Sequence, residues 1–126
     1  MRILVDTHLL LWWVAGSRLP GKSGDLIRDP SNEVYVSAAS VWEVAIKTRL
    51  GRLEVDPSAF ASALTAGGFG ELPVTSRHAA VVAGLPDHHR DPFDRMLVAQ
   101  ALTEPMRLLT HDRALASYGD AILLAG

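Results

Sequence analysis

Four carboxylates stand where they could act together: Asp6, Glu43, Asp94 and Asp112, with Asp91 three residues ahead of the third. Asp6 directly follows a short apolar run, Arg2–Val5, and Asp112 comes just after another, Arg107–Leu109. Asp91 and Asp94 fall in the first turn of a predicted helix. Glu43 lies one to two turns into the helix that follows a second apolar run. In a parallel α/β sheet, the C-terminal ends of the strands and the N-termini of the following helices share one edge, and sites are built there. Four segments distant in sequence therefore deliver acids to one rim. Crowded carboxylates repel, more strongly when buried, so they persist either by protonation or by holding a cation. The chain has no cysteine, and oxygen ligands alone favour Mg²⁺ or Mn²⁺ over zinc. Such an ion polarises a phosphate and lowers the pKa of a bound water. Phosphodiester hydrolysis is the chemistry that fits.

Each acid also has a structural explanation. Asp6 could cap a helix beginning at Thr7, and Asp112 one beginning at Arg113. Asp91-Pro92-Phe93-Asp94 has the form of an N-cap, a proline at the first helical position and an acid favoured by the helix dipole. Glu43 could pair with Lys47 at i+4, although it is too deep in its helix to be a cap. Two further readings stay open at this point. One is a non-catalytic interaction module whose acids are only caps. The other is an aspartyl phosphoryl-transfer enzyme with Asp6 as nucleophile, against which His8 stands where a second Asp would be wanted.

The elements that must position these residues alternate between short apolar runs and helical patterns. This is the mark of an α/β fold with a central, mostly parallel sheet. Strands are expected over Arg2–Val5, Glu33–Val36, Leu72–Val74, Arg107–Leu109 and Ala121–Leu124. Helices are expected over Thr7–Ala15, Gly21–Arg28, Ala38–Leu50 with Ser37 as cap, Pro57–Ala66, Ser76–Ala83, Asp91–Thr103 and Arg113–Tyr118. There is no internal repeat, and 126 residues fit a single domain spanning 1–126. Nearly half of the residues are apolar, enough for a core without disulfides. The longest apolar run, Leu9–Ala15, is too short to span a bilayer. The N-terminus meets Asp6 too soon for a signal peptide, so a cytoplasmic location is expected. The formal net charge is −2. A protein that merely coats nucleic acid is usually basic, so contact with RNA would have to come from local Arg and Lys residues and a metal ion.

The acids lie inside segments that resemble a known family. Ile3-Leu4-Val5-Asp6-Thr7-His8-Leu9-Leu10-Leu11-Trp12-Trp13 resembles the first motif of VapC-type PIN-domain toxins. Ser37-Ala38-Ala39-Ser40-Val41-Trp42-Glu43-Val44-Ala45-Ile46-Lys47 resembles the second, and the segment from His89 to Ala101 the third. Leu108-Leu109-Thr110-His111-Asp112 resembles the fourth. The motifs occur in the family's order and span nearly the whole chain. The resemblance implies a three-layer α/β/α sandwich with an acidic pocket at one end. It implies that Asp6, Glu43 and Asp94 are the core metal-binding acids, that Asp112 is a fourth, more variable one, and that Asp91 supports them or caps a helix. It further implies a Mg²⁺- or Mn²⁺-dependent endoribonuclease leaving a 3′-hydroxyl and a 5′-phosphate. A cognate antitoxin as inhibitor and a homodimer follow from the same resemblance.

Other residues near the expected rim have two explanations each. Arg90, Arg95 and Arg113 flank the acids and could hold RNA phosphates, or they are solvated charges and salt-bridge partners. His88, His89 and His111 could serve a metal-free ribonuclease by acid–base chemistry, but this leaves the acids unexplained. His78 is expected on a helix away from the site. The segment Leu9–Val14 is apolar all round, more than one sheet-facing stripe needs. Trp12 and Trp13 are therefore either buried or a partner surface.

Overall fold

The computed structural model describes residues 1–126. Five strands form one sheet: β1 (Arg2–Val5), β2 (Glu33–Ser37), β3 (Gly70–Leu72), β4 (Arg107–Thr110) and β5 (Ile122–Leu124). Their order is β3-β2-β1-β4-β5, and every neighbouring pair is parallel. The sheet is thus wholly rather than mostly parallel, because each strand is joined to the next by a crossover and none by a hairpin. The helices are α1 (Thr7–Val14), α2 (Ser23–Arg28), α3 (Ala38–Arg49), α4 (Pro57–Ala66), α5 (Ser76–Val82) and α6 (Pro92–Thr103). Arg113–Tyr118 is 3₁₀ rather than α-helical. No helix is long and apolar enough to cross a membrane.

The alternation of side chains along the central strands builds two apolar clusters, one on each face. Ile3, Val5 and Leu109 pack with Leu9 and Leu10 of α1 and with Phe60 and Leu64 of α4. Leu4 and Leu108 pack with Leu97, Val98 and Ala101 of α6 and with Leu115. β1 is therefore clamped from both sides, and its C-terminal end is fixed in space. β3 starts two residues earlier than the apolar pattern suggests. Pro73 has no N–H for a ladder, whereas Gly70 pairs with Tyr35. A Cβ at Gly70 would lie 2.9 Å from the Tyr35 ring, so any larger residue would force that ring to shift.

The irregular segment between α5 and α6 is held by Arg95. Its guanidinium donates to the carbonyls of Val82 (2.9 Å), Leu85 (3.3 Å), Pro86 (3.1 Å) and His89 (3.3 Å), and to the Tyr118 hydroxyl (3.3 Å). The Tyr118 hydroxyl in turn donates to Pro86 O at 2.8 Å. One planar fork thereby gathers carbonyls that no strand or helix would satisfy. Arg95→Ala should lower stability by about 1.5–3 kcal/mol, the scale for losing charge-assisted bonds. Arg95→Lys should recover little, because a single ammonium cannot replace the fork. Urea unfolding of the three proteins checks this, and a cost under about 0.5 kcal/mol, the scale of an ordinary surface change, would refute it.

Candidate active site

Asp6 is the first residue past β1. Its N–H donates to Leu109 O at 2.9 Å, so β1 and β4 stay paired up to the acid itself. It occupies the N-cap position of α1, yet its side chain makes no capping bond. Instead Oδ2 accepts from the Thr110 hydroxyl at 2.6 Å, and Oδ1 is buried without a partner. The residue is only 3% exposed. Burial pushes its pKa above the usual carboxylate value. The Thr110 bond and the nearby His8 work against that rise, and the charge of Glu43 adds to it.

Glu43 comes from α3. Ser37 caps that helix, accepting from Ala39 N–H at 3.0 Å. Thr7 at the start of α1 donates to Ser40 Oγ at 2.8 Å, which ties the two helix starts together. Glu43 sits one turn further along and is 3% exposed. Lys47 Nζ donates to its Oε2 at 2.5 Å, while Oε1 is buried and unpartnered. The i+4 pair expected from sequence exists, but it uses one carboxylate oxygen only. Burial opposes the charge on Lys47. The bond to Glu43 and the charges of Glu43, Asp91 and Asp94 outweigh it and raise the lysine's pKa.

Asp94 and Asp112 complete the rim. α6 lies between β3 and β4 in sequence, and its N-terminus is at the sheet's C-terminal edge. Asp91 caps it, accepting from the N–H groups of Phe93 (2.8 Å) and Asp94 (3.2 Å). Asp91 is thus the helix cap that its spacing suggests. The Asp94 carboxyl holds its proton up to about 7. Burial is the main cause, the charges of Asp6, Asp91 and Glu43 add to it, and His89 opposes it. Asp112 N–H donates to Thr110 Oγ1 at 3.0 Å, and its Oδ1 caps the 3₁₀ segment through Ala114 N–H at 2.9 Å. Its Oδ2 lies 3.0 Å from His89 Nε2, which is also 3.4 Å from Asp94 Oδ2. Ligand-type atoms of His89, Asp94 and Asp112 all lie within 4.8 Å of one another.

The four acids therefore converge. A cap role accounts for one oxygen of Asp112 and for Asp91, but not for Asp6, Glu43 or Asp94. Two buried, unpartnered carboxylate oxygens at the meeting point of α1 and α3 suit a hard divalent cation. Arg90 and Arg113 are exposed beside the acids, while Arg95 is occupied by the α5–α6 segment. Trp13 packs edge-to-face on Phe69 at 5.6 Å, so its indole serves the core. Trp12 instead meets His111 at 5.7 Å and lines a groove of about 330 Å³ with Leu11, Val44, Leu53 and Val55 that reaches Glu43 and Lys47. His78 is buried on α5 against Glu104, away from the acids. His89, one of the histidines expected near the rim, lies inside the pocket between Asp94 and Asp112. One feature escapes the sequence reading: Trp42, 61% exposed, against Phe93.

Residues 3–121 match the family model described as PIN domain. The chain is 28% identical over 118 residues to Ribonuclease VapC22 of Mycobacterium tuberculosis, covering 92% of this chain and 91% of that protein. Its fold is similar to a chain of a toxin–antitoxin complex from Klebsiella pneumoniae (TM-score 0.71, 16% identity, 98% of each chain covered). It is also similar to one from VapBC-5 of Mycobacterium tuberculosis (TM-score 0.62, 19% identity, covering 98% of this chain and 96% of that one).

The pocket's charge makes a prediction with a definite sign. Asp94 takes up its proton at about 7 when folded, against an ordinary value of 3.8. The folded state thus holds an extra proton between those limits, and this contribution to stability is lost as pH rises from about 4 to about 7. Asp94→Asn removes the charge. With EDTA at pH 8, the variant should melt at or above the wild type by up to a few degrees, and the difference should vanish or reverse at pH 4. Millimolar Mn²⁺ should restore the wild type's lead, since a native-state ligand adds roughly 2.7 kcal/mol at a hundredfold excess over its dissociation constant. Equal, metal-insensitive midpoints at pH 8 would mean that these acids form no cation site.

Proposed function

The chain belongs to the PIN-domain family, and from that premise we propose that it is a Mg²⁺- or Mn²⁺-dependent endoribonuclease, the toxin of a toxin–antitoxin pair. The observation that carries this reading is the pair of orphaned, buried oxygens on Asp6 and Glu43, within electrostatic reach of the proton-retaining Asp94. Asp6, Glu43 and Asp94 would hold the ion, with Asp112 as a fourth, outer acid. When bound, the ion would polarise a phosphate oxygen and lower the pKa of a water so that it can attack phosphorus.

The chain's own residues prepare for that. Thr110 fixes the direction of Asp6 by donating to Oδ2. Lys47 offsets part of the negative charge from within. Arg90 and Arg113, exposed and next in sequence to Asp91 and Asp112, would hold phosphates of an RNA strand. Attack of water on phosphorus with cleavage of the P–O3′ bond would leave a 3′-hydroxyl, which takes up a proton, and a 5′-phosphate. A cytoplasmic setting, where cellular RNA is found, goes with this reading.

A nuclease of this kind needs an inhibitor. The groove lined by Trp12, Leu11, Val44, Leu53 and Val55 supports an antitoxin that lays an apolar segment there and sends a basic side chain toward Glu43. A homodimer is also proposed, and the exposed Trp42–Phe93 patch is an apolar surface that a second copy could cover.

Incubation of the purified chain with total RNA tests the activity. Mg²⁺ or Mn²⁺ should support cleavage and EDTA should stop it. Asp6→Asn, Glu43→Gln and Asp94→Asn should each lose more than the roughly 10–100-fold typical of residues that only support a ligand. Asp112→Asn should lose less. Wild-type rates in any of the three core variants would sink the assignment, and cleavage that survives EDTA would point to histidine chemistry instead.

A further inference from the structure

His89 Nε2 stands 3.0 Å from Asp112 Oδ2 and 3.4 Å from Asp94 Oδ2. With all three ligand-type atoms inside 4.8 Å, the cluster has the outline of a metal-binding triad. The other ring nitrogen argues against that. Nδ1 lies 3.1 Å from the backbone nitrogen of Asp91 and accepts its N–H. A ring nitrogen that accepts a hydrogen bond carries the lone pair, so the neutral imidazole has its hydrogen on Nε2. A metal-ligating histidine needs the reverse: a bare Nε2, with Nδ1–H donating to an outer partner. To ligate through Nε2 while Asp91 stays in place, His89 would have to set Nδ1–H against the N–H of Asp91, donor against donor.

We propose that His89 is a positioning residue and not a ligand. Its Nε2–H donates to Asp112 and faces Asp94, fixing the relative placement of two carboxylates from separate elements. Its Nδ1 anchors the ring to the cap of α6. Asp91 spends its side chain on Phe93 and Asp94 N–H and its own N–H on His89. The imidazole therefore joins the start of α6 to the turn after β4, adding a link between Asp94 and Asp112 to the Thr110 and Ala114 bonds that already hold Asp112. This inference rests on the cation-site reading given above.

Two-bond ¹H–¹⁵N correlation spectra of the metal-free protein read the tautomer directly. The signal missing from His89→Ala identifies His89 among the five histidines. It should show a protonated Nε2 and a bare Nδ1, and that pattern should persist at saturating Mg²⁺. By calorimetry, His89→Ala should bind Mg²⁺ roughly 10–100-fold more weakly. His89→Gln should stay within a few-fold of wild type, since an amide can donate from the place of Nε2. Should the alanine variant not fold, the spectra and the glutamine variant carry the test. An Nδ1–H tautomer, loss of the Nε2 hydrogen on adding Mg²⁺, or unchanged affinity in a folded alanine variant would overturn the proposal. If the wild type itself takes up no Mg²⁺, the proposed function fails, while the metal-free spectrum still decides which nitrogen of His89 donates.

Discussion

The Thr110 hydroxyl stands where the two central strands end, and it serves two acids at once. It donates to Asp6 Oδ2 and accepts the N–H of Asp112. Thr110 is fully buried, so neither bond competes with bulk water. β1 pairs with both β2 and β4, and apolar clusters clamp it above and below. Asp6 therefore cannot drift toward solvent. A carboxylate held in that position is forced to find a compensating charge or keep a proton, and the rest of the rim is organised around that requirement.

The cost is considerable. A buried polar atom without a partner is worth about 1–3 kcal/mol, and the rim holds two, on Asp6 and Glu43. Net stabilities of whole domains are only about 5–15 kcal/mol. The two apolar clusters must offset this strain in the absence of an ion, with Lys47 as a partial remedy fixed on Glu43. Local rules broken at a site and compensated elsewhere are what functional positions look like. Here the compensation is visible as a double-sided core around β1.

Much of this is legible without coordinates. The parallel topology alone sends Asp6, Glu43, Asp94 and Asp112 to one edge, and Ser37 and Asp91-Pro92 mark the starts of the helices that carry Glu43 and Asp94 by capping chemistry. What sequence cannot show is which atoms a flexible side chain meets. Arg95 stands next to Asp94 and so looks like a phosphate contact, but its fork is drawn to carbonyls at the end of α5 and in the loop after it, whose path no pattern encodes. His89 is one histidine among several near the rim until its two nitrogens are assigned different partners. The shift of β3 was implicit in Pro73, whose missing N–H outweighs the apolar pair beside it. Trp12 and Trp13 look alike as neighbours on one helix. They differ because roughly 100° of helical rotation separates them, which sends one ring to Phe69 and the other to the groove beside Glu43.

The charge balance constrains how such a chain could handle RNA at all. With a net charge of −2 and an acidic pocket at its working edge, the metal-free protein repels a polyanion where it should bind it. A divalent cation inverts the local sign. On the proposed function, then, substrate affinity and catalysis depend on the same ion. Arg90 and Arg113 add only flanking attraction. A basic side chain delivered by an antitoxin would satisfy the same orphaned oxygens that an ion satisfies. It would thereby remove the affinity for phosphate together with the activated water. On that reading, inhibition by ion replacement would need no conformational change, only a cation on the end of an apolar segment, and the groove that reaches Glu43 and Lys47 would offer such a segment its path.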